Sequence, residues 1–127
     1  MTLYDWLTIV AMAEDMTAHN APGNPQNALT AREVCQVLRE VVFERRTMTK
    51  VGSQTWDEVY ACHFGIDVEG WLITLYNDCD ELDYCENCVS PDGRRWSFDA
   101  GDRYGTDPVA LLSVWEHQTL ERLLKEI

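Results

Sequence analysis

The sequence has no apolar run that approaches the roughly 18 residues needed to cross a bilayer. Its first residues also lack the basic segment with which a secretory signal peptide begins. Asp5 interrupts the apolar stretch there, and Glu14 and Asp15 follow it. These features are not those of a signal peptide. We therefore expect a cytoplasmic protein that makes no contact with a membrane.

Basic residues are scarce as well. The chain of 127 residues has 10 Lys and Arg against 22 Asp and Glu, which gives a formal net charge of −12. Such a surface repels nucleic acid, so direct binding to nucleic acid is not expected. Between residues 57 and 107, thirteen carboxylates stand against three arginines, a local balance of −10. This uneven distribution indicates a surface for a basic partner.

Motifs of common catalytic sites are missing too. The chain has no glycine-rich phosphate loop, and none of its serines stands in a nucleophile elbow. His63 directly follows Cys62, but adjacent residues of a strand point to opposite faces, so the two do not predict a Cys-His pair. We predict that the protein is not an enzyme, with no catalytic residue and no cofactor.

Reactive side chains are densest in the segment 77–88, NDCDELDYCENC, which holds three cysteines and five carboxylates. Cys85 and Cys88 form one CxxC pair, but structural zinc needs four ligands and a second pair is absent. Acidic neighbours raise the pKa of a thiol, which disfavours a redox role. A calcium loop of the EF-hand type would need a central glycine, and the segment 77–88 has none. A small zinc-binding module that also uses Cys79 stays open as an alternative.

An acidic surface is the preferred interpretation of the segment 77–88. Its carboxylates Asp80, Glu81 and Asp83 are predicted to contact a partner and to steer it by charge. The chain has five cysteines, an odd number, and free thiols are the default in a cytosolic protein.

Residues 1–17 predict an amphipathic helix that is apolar on two sides. The two stripes consist of Leu3, Trp6, Leu7 and Val10, and of Tyr4, Ile9, Met12 and Met16. Residues 18–28 are rich in Pro, Gly and Asn and predict a linker. We expect the tethered helix to bind an apolar surface of a partner protein, or to pair with a second copy in a homodimer. The alternative is that it packs on the core of its own domain.

Residues 29–127 predict a single α+β domain. A capping-box signal at Thr30 and Glu33 begins one helix, and Asp107-Pro108 is expected to begin the last one. Strands are expected at about residues 59–68, 71–76 and 95–98. Together with the N-terminal helix this gives the order ααβββα, a three-stranded antiparallel meander packed with two to three helices.

Two stretches, NDCDELDYCENCVSPDGRRW and GTDPVALLSVWEHQTLERLL, resemble a set of small, acidic, largely uncharacterised bacterial cytosolic proteins. The resemblance covers residues 29–127 and implies no catalytic residue. In its size, its charge and its protruding helix, the chain is also similar to anti-activator proteins that bind and silence transcriptional regulators of quorum sensing.

The sequence therefore predicts a non-enzymatic regulatory protein that binds and inhibits another protein, with a transcriptional regulator as the first candidate. The alternative is an acidic mimic of nucleic acid, such as a nuclease immunity protein or a phage-encoded inhibitor, or else the small zinc-binding module. The dependence of partner binding on ionic strength distinguishes the first two hypotheses, because binding by charge mimicry weakens steeply as salt is added and apolar docking does not.

Overall fold

A computed structural model describes residues 28–98 and 107–127 of the chain. The predicted N-terminal helix and all but the last residue of the predicted linker lie outside that part. The helices are α1 (Ala31–Val42), α2 (Trp56–Val59) and α3 (Val114–Glu126). The strands are β1 (Met48–Lys50), β2 (Ala61–Val68), β3 (Trp71–Asp78), β4 (Glu81–Val89) and β5 (Arg95–Ser97).

The strands form one antiparallel sheet of five, in which each strand pairs with the next along the chain. The prediction of a three-stranded meander in the order ααβββα is therefore wrong. It misses β1, which has only three residues. It also misses β4, which overlaps the acidic segment 77–88 and ends one residue beyond it.

Strand β4 escapes prediction because its side chains do not alternate regularly. Its pairing with β3 shifts register twice, and Asp83 and Glu86 are the residues left without a partner there. Each β-bulge adds one residue to the usual period of two. Leu82, Cys85 and Cys88 are consequently all buried on one face, although they are spaced by three.

One of the two predicted helix starts agrees with the structure, and the other does not. Helix α1 begins as predicted, because Thr30 Oγ1 accepts a backbone N–H of the first turn at 3.1 Å. The last helix begins later than predicted, since Ser113 is its N-cap and forms a reciprocal capping box with Glu116. Asp107 precedes residues 108–111, which form turns and not a helix.

The core lies between the helices and one face of the sheet, and a single cluster of buried apolar side chains joins them. In β2, Phe64, Ile66 and Val68 are buried in this cluster. Trp56 of α2 is fully buried as well, and its ring meets that of Phe64 at 5.2 Å in an edge-on contact. Burying a side chain of this kind contributes about 1.5–3 kcal/mol.

The residues of β2 that alternate with the core residues point to the opposite side of the sheet, which we call the open face. Helices α1 and α3 pack on the core face, so neither of them covers the open face. No helix within residues 28–98 and 107–127 combines the length and the apolarity needed to span a membrane.

Candidate functional site

The structure separates the residues predicted to contact a partner. Asp80 is half-buried in the tight turn between β3 and β4, whereas Glu81 and Asp83 are exposed in β4. All predicted contact residues of the N-terminal helix lie outside the described residues. They are Leu3, Tyr4, Trp6, Leu7, Ile9, Val10, Met12 and Met16. Of the predicted acidic contacts, Glu81 and Asp83 are therefore the two that are exposed to solvent.

The turn of Asp80 has a left-handed backbone, with φ of 54° at Cys79 and 73° at Asp80. Such a two-residue hairpin turn favours Asn-Gly, so other residues are strained there. Asn77 offsets the strain, since its Oδ1 accepts the backbone N–H of Asp80 at 2.7 Å. The indole N–H of Trp56 donates to the backbone oxygen of Asp80 at 3.1 Å. The turn is thus anchored to α2 as well as to β3.

Tyr60 lies beside this turn and has a left-handed φ of 58°. Its backbone oxygen accepts the N–H of Asp80 at 3.2 Å. A hydrogen bond with Cys79, followed by the charges of nearby groups, raises the pKa of the Tyr60 hydroxyl. Within the described residues, Oδ1 of Asp80 is buried and has no hydrogen-bond partner. The acidic segment therefore begins at a strained and closely supported turn.

The three cysteines of the segment do not converge. Cys85 and Cys88 are fully buried in the core face of β4, whereas Cys79 is exposed. Burial raises the pKa of the Cys88 thiol to about 12, and it also raises the pKa of Cys85. Among the residues that the structure describes, no group of three or more His, Cys, Asp or Glu could hold a metal ion. The CxxC pair is part of the core packing.

Four ring side chains cross the open face from β2 to the residue after β5. They are His63, Tyr76, Tyr84 and Phe98, and we call them the aromatic row. Tyr76 meets His63 edge-on at 5.4 Å and stacks on Tyr84 at 5.2 Å with an interplanar angle of 15°. Tyr84 in turn meets Phe98 at 5.2 Å. Direct cross-strand pairing of His63 with Tyr76, and of Tyr76 with Tyr84, aligns these rings.

Carboxylates stand beside the aromatic row because of the two bulges in β4. Between the buried Cys85 and Cys88 two residues face outwards, and one of them is Glu86. Its Oε2 lies 3.6 Å from Nε2 of His63. Burial, and then the charge and hydrogen bond of Glu86, raise the pKa of the Tyr84 hydroxyl. The other bulged residue, Asp83, directly precedes Tyr84 and is exposed.

Both ends of the aromatic row are accessible among the described residues. The side chain of His63 is 48% exposed, and Phe98 is 51% exposed. A shallow cleft of about 350 Å³ adjoins His63, with Ser53 and Gly65 in its lining. On the helical side, a separate pair of exposed rings, Phe43 and Trp115, lies 5.8 Å apart.

Sequence reasoning misses the aromatic row as a site. The pattern of β2 predicts that His63 faces away from Cys62. The alternation in β3 places Tyr76 on the face opposite to its core residues, so the sequence indicates the direction of these two members of the row. Tyr84 had none, because its outward direction depends on the bulge at the preceding residue. Phe98 joins the row through its backbone N–H, which donates to the oxygen of Glu86 at 2.9 Å.

Residues 28–126 match the family DUF7693, a domain of unknown function. The match spans most of the chain, so the protein belongs to this family. No curated protein and no solved structure matches the chain. The family carries no assigned function, and the similarity to anti-activator proteins stays a prediction.

Proposed function

We propose that this protein is a non-enzymatic, cytoplasmic regulator that binds and inhibits another protein through the open face of its sheet. The aromatic row is the observation that carries this proposal. The solvent side of an antiparallel sheet is normally polar, and an apolar surface left exposed there is typical of a binding site. Tyrosine and other aromatic side chains often dominate the energy of protein interfaces.

The charge of the molecule favours a basic target. The net charge of −12 and the carboxylates beside the row suit the basic surfaces of DNA-binding proteins. A transcriptional regulator held in this way would be kept from its DNA. The apolar stripes predicted for residues 1–17 supply a second candidate contact with the same target, or with a second copy of the chain.

Two phenylalanines with matched exposure allow a direct test. Phe98 is 51% exposed at the end of the aromatic row, and Phe43 is 53% exposed on the helical side. A binding partner is first captured from host lysate, identified by mass spectrometry and produced on its own. We expect Phe98→Ala to weaken its binding at least about tenfold by calorimetry, and Phe43→Ala to leave the affinity within about twofold.

Equal affinities of both variants and the unchanged protein would remove the open face as the binding surface. Repeating the titration at high ionic strength tests the alternative that the protein is an acidic mimic of nucleic acid. Binding that depends on carboxylates alone disappears in high salt, whereas binding that depends on buried rings persists.

A further inference from the structure

We propose that residues 1–17 dock through their first apolar stripe on an exposed apolar patch at the helical side of the same chain. This stripe consists of Leu3, Trp6, Leu7 and Val10. The inference goes beyond the proposed function and does not depend on it, because the aromatic row lies on the open face and the patch does not. The second stripe of Tyr4, Ile9, Met12 and Met16 stays available for a partner.

Three exposed apolar side chains form this patch, which we call the helical patch. Phe43 is the C-cap of α1, and Val114 and Trp115 are the first two residues of α3. Their exposed fractions are 53%, 75% and 57%. The rings of Phe43 and Trp115 lie 5.8 Å apart. Single exposed apolar side chains are common, whereas a group of them at one place is typical of a contact site.

The first described residues lie within reach of the helical patch. Leu29 is buried, and its N–H donates to the oxygen of Arg95 at 3.1 Å, which fixes this point beside β5. Helix α1 then runs for 12 residues toward Phe43, about 18 Å at the usual rise. The predicted linker 18–28 spans up to about 36 Å when it is fully extended. Residues 1–17 can therefore meet the helical patch of their own chain.

Charge disfavours the aromatic row as the place where residues 1–17 dock. Residues 1–27 contain three carboxylates and no Lys or Arg. Glu86 and the exposed Asp83 lie beside the rings of the row. Residues 99–106 follow the row in the chain and contain two Asp against one Arg, so they bring no net positive charge. An acidic segment is therefore repelled from the open face.

The charge near the helical patch is more favourable for the segment. Residues 30–50, which include α1, contain five Arg and Lys against three Glu, a balance of +2. Beside the patch, Arg39 pairs with Glu116 at 3.2 Å, and the exposed Arg45 follows Phe43 by two residues. The segment of a second copy would bring a chain with the same net charge of −12. The tether instead holds the chain's own segment at a high local concentration.

The test uses the full chain with fluorotryptophan at its five tryptophans, whose fluorine NMR signals are assigned by single Trp→Phe variants. We expect Phe43→Ala to move the Trp6 signal toward its position in the denatured chain, because an aromatic anchor of the docked stripe is lost. Phe98→Ala removes a ring of nearly equal exposure, 51%, from the open face and should leave the Trp6 signal in place. The other tryptophan signals verify that each variant is folded.

A second measurement follows how often the segment undocks. Thermolysin cleaves before apolar residues, and in a folded protein its rate follows the population of the open form. We expect Phe43→Ala to speed cleavage within residues 1–17 at least about tenfold, and Phe98→Ala to change it by less than about twofold. Within the segment, Leu7→Ser should move the Trp115 fluorine signal, whereas Met12→Ser, in the second stripe, should not.

The proposal is wrong if the Trp6 signal of the unchanged chain already lies at its denatured position, or if Phe98→Ala moves it and Phe43→Ala does not. A Trp6 signal that depends on protein concentration would assign the helical patch to the segment of a second copy. A Trp115 signal that no change within residues 1–17 moves would leave the patch free or covered by another part of the chain. None of these results alters the partner-binding test with Phe98→Ala, so the proposed function is judged separately.

Discussion

Asn77 connects three parts of the structure through one buried side chain. It is the penultimate residue of β3 and is fully buried. Its Nδ2 donates to the backbone oxygen of Trp56 in α2 at 2.8 Å, and its Oδ1 accepts from the turn at Asp80. A buried polar group of this kind is stable only while its partners are in place.

We expect Asn77→Ala to lower the free energy of unfolding by about 1–3 kcal/mol, because it removes two side-chain hydrogen bonds, one to the oxygen of Trp56 and one from the N–H of Asp80. Urea denaturation followed by circular dichroism measures the loss. Gln118→Ala, at an exposed position of α3, is the control and should change stability by less than about 0.5 kcal/mol. Equal stabilities of the two variants would mean that the strained turn is held by its other contacts.

The candidate site was only partly predictable at the level of single residues. The acidic segment drew attention for its carboxylates, and two of these, Glu81 and Asp83, are exposed as expected. Asp80 is not, since Asn77 and α2 draw its backbone inwards. The ring of Tyr84 has no comparable signal in the sequence. Its place in a row with three other rings depends on cross-strand pairing, which a single sequence does not specify.

At the level of elements, the predicted and observed strands differ where the period of two is broken. Strands β2 and β3 were predictable because their apolar residues alternate. Strand β5 was predictable because the turn residues Pro91-Asp92-Gly93 precede it. Strand β4 was not, because its two bulges convert alternation into a spacing of three. The start of α3 was misplaced because Asp107-Pro108 and the Ser113–Glu116 capping box both signal a helix, and only the second begins one.

The bulged strand predicts which thiols react. Cys85 and Cys88 lie on the core face of β4, and Cys35 is buried in α1, whereas Cys62 and Cys79 are exposed. We expect a thiol reagent at neutral pH to modify two of the five cysteines rapidly in the folded chain and all five in denaturant. Burial keeps the other thiols protonated as well as shielded.

Peptide mass spectrometry after labelling identifies the reacted positions, and the variant Cys62→Ala should remove one of the two fast reactions. Rapid labelling of Cys85 or Cys88 in the folded chain would contradict the double-bulge register, since one of them would then face solvent. About one zinc ion per chain in the purified protein, measured by elemental analysis, would instead support the metal-binding alternative.

On the scale of the whole molecule, the net charge and the aromatic row are expected to affect the binding of a partner in separable ways. The net charge of −12 acts over a distance, whereas the aromatic row acts only on contact. Exposed charges chiefly change the rate of association and its dependence on salt, while buried contacts chiefly change the rate of dissociation. The acidic strand beside the row is therefore expected to guide the partner, and the rings to hold it.

We expect the double variant Glu81→Gln, Asp83→Asn to slow association with the captured partner severalfold at low ionic strength and to leave dissociation unchanged. The difference should fade in high salt, because screening removes the long-range attraction. The matched control Glu44→Gln, Glu126→Gln removes the same charge at two exposed positions of the helical side. Stopped-flow measurement at several salt concentrations compares the two. If the control slows association equally, total charge alone steers the partner, and the exposed carboxylates of β4 have no special part in the interface.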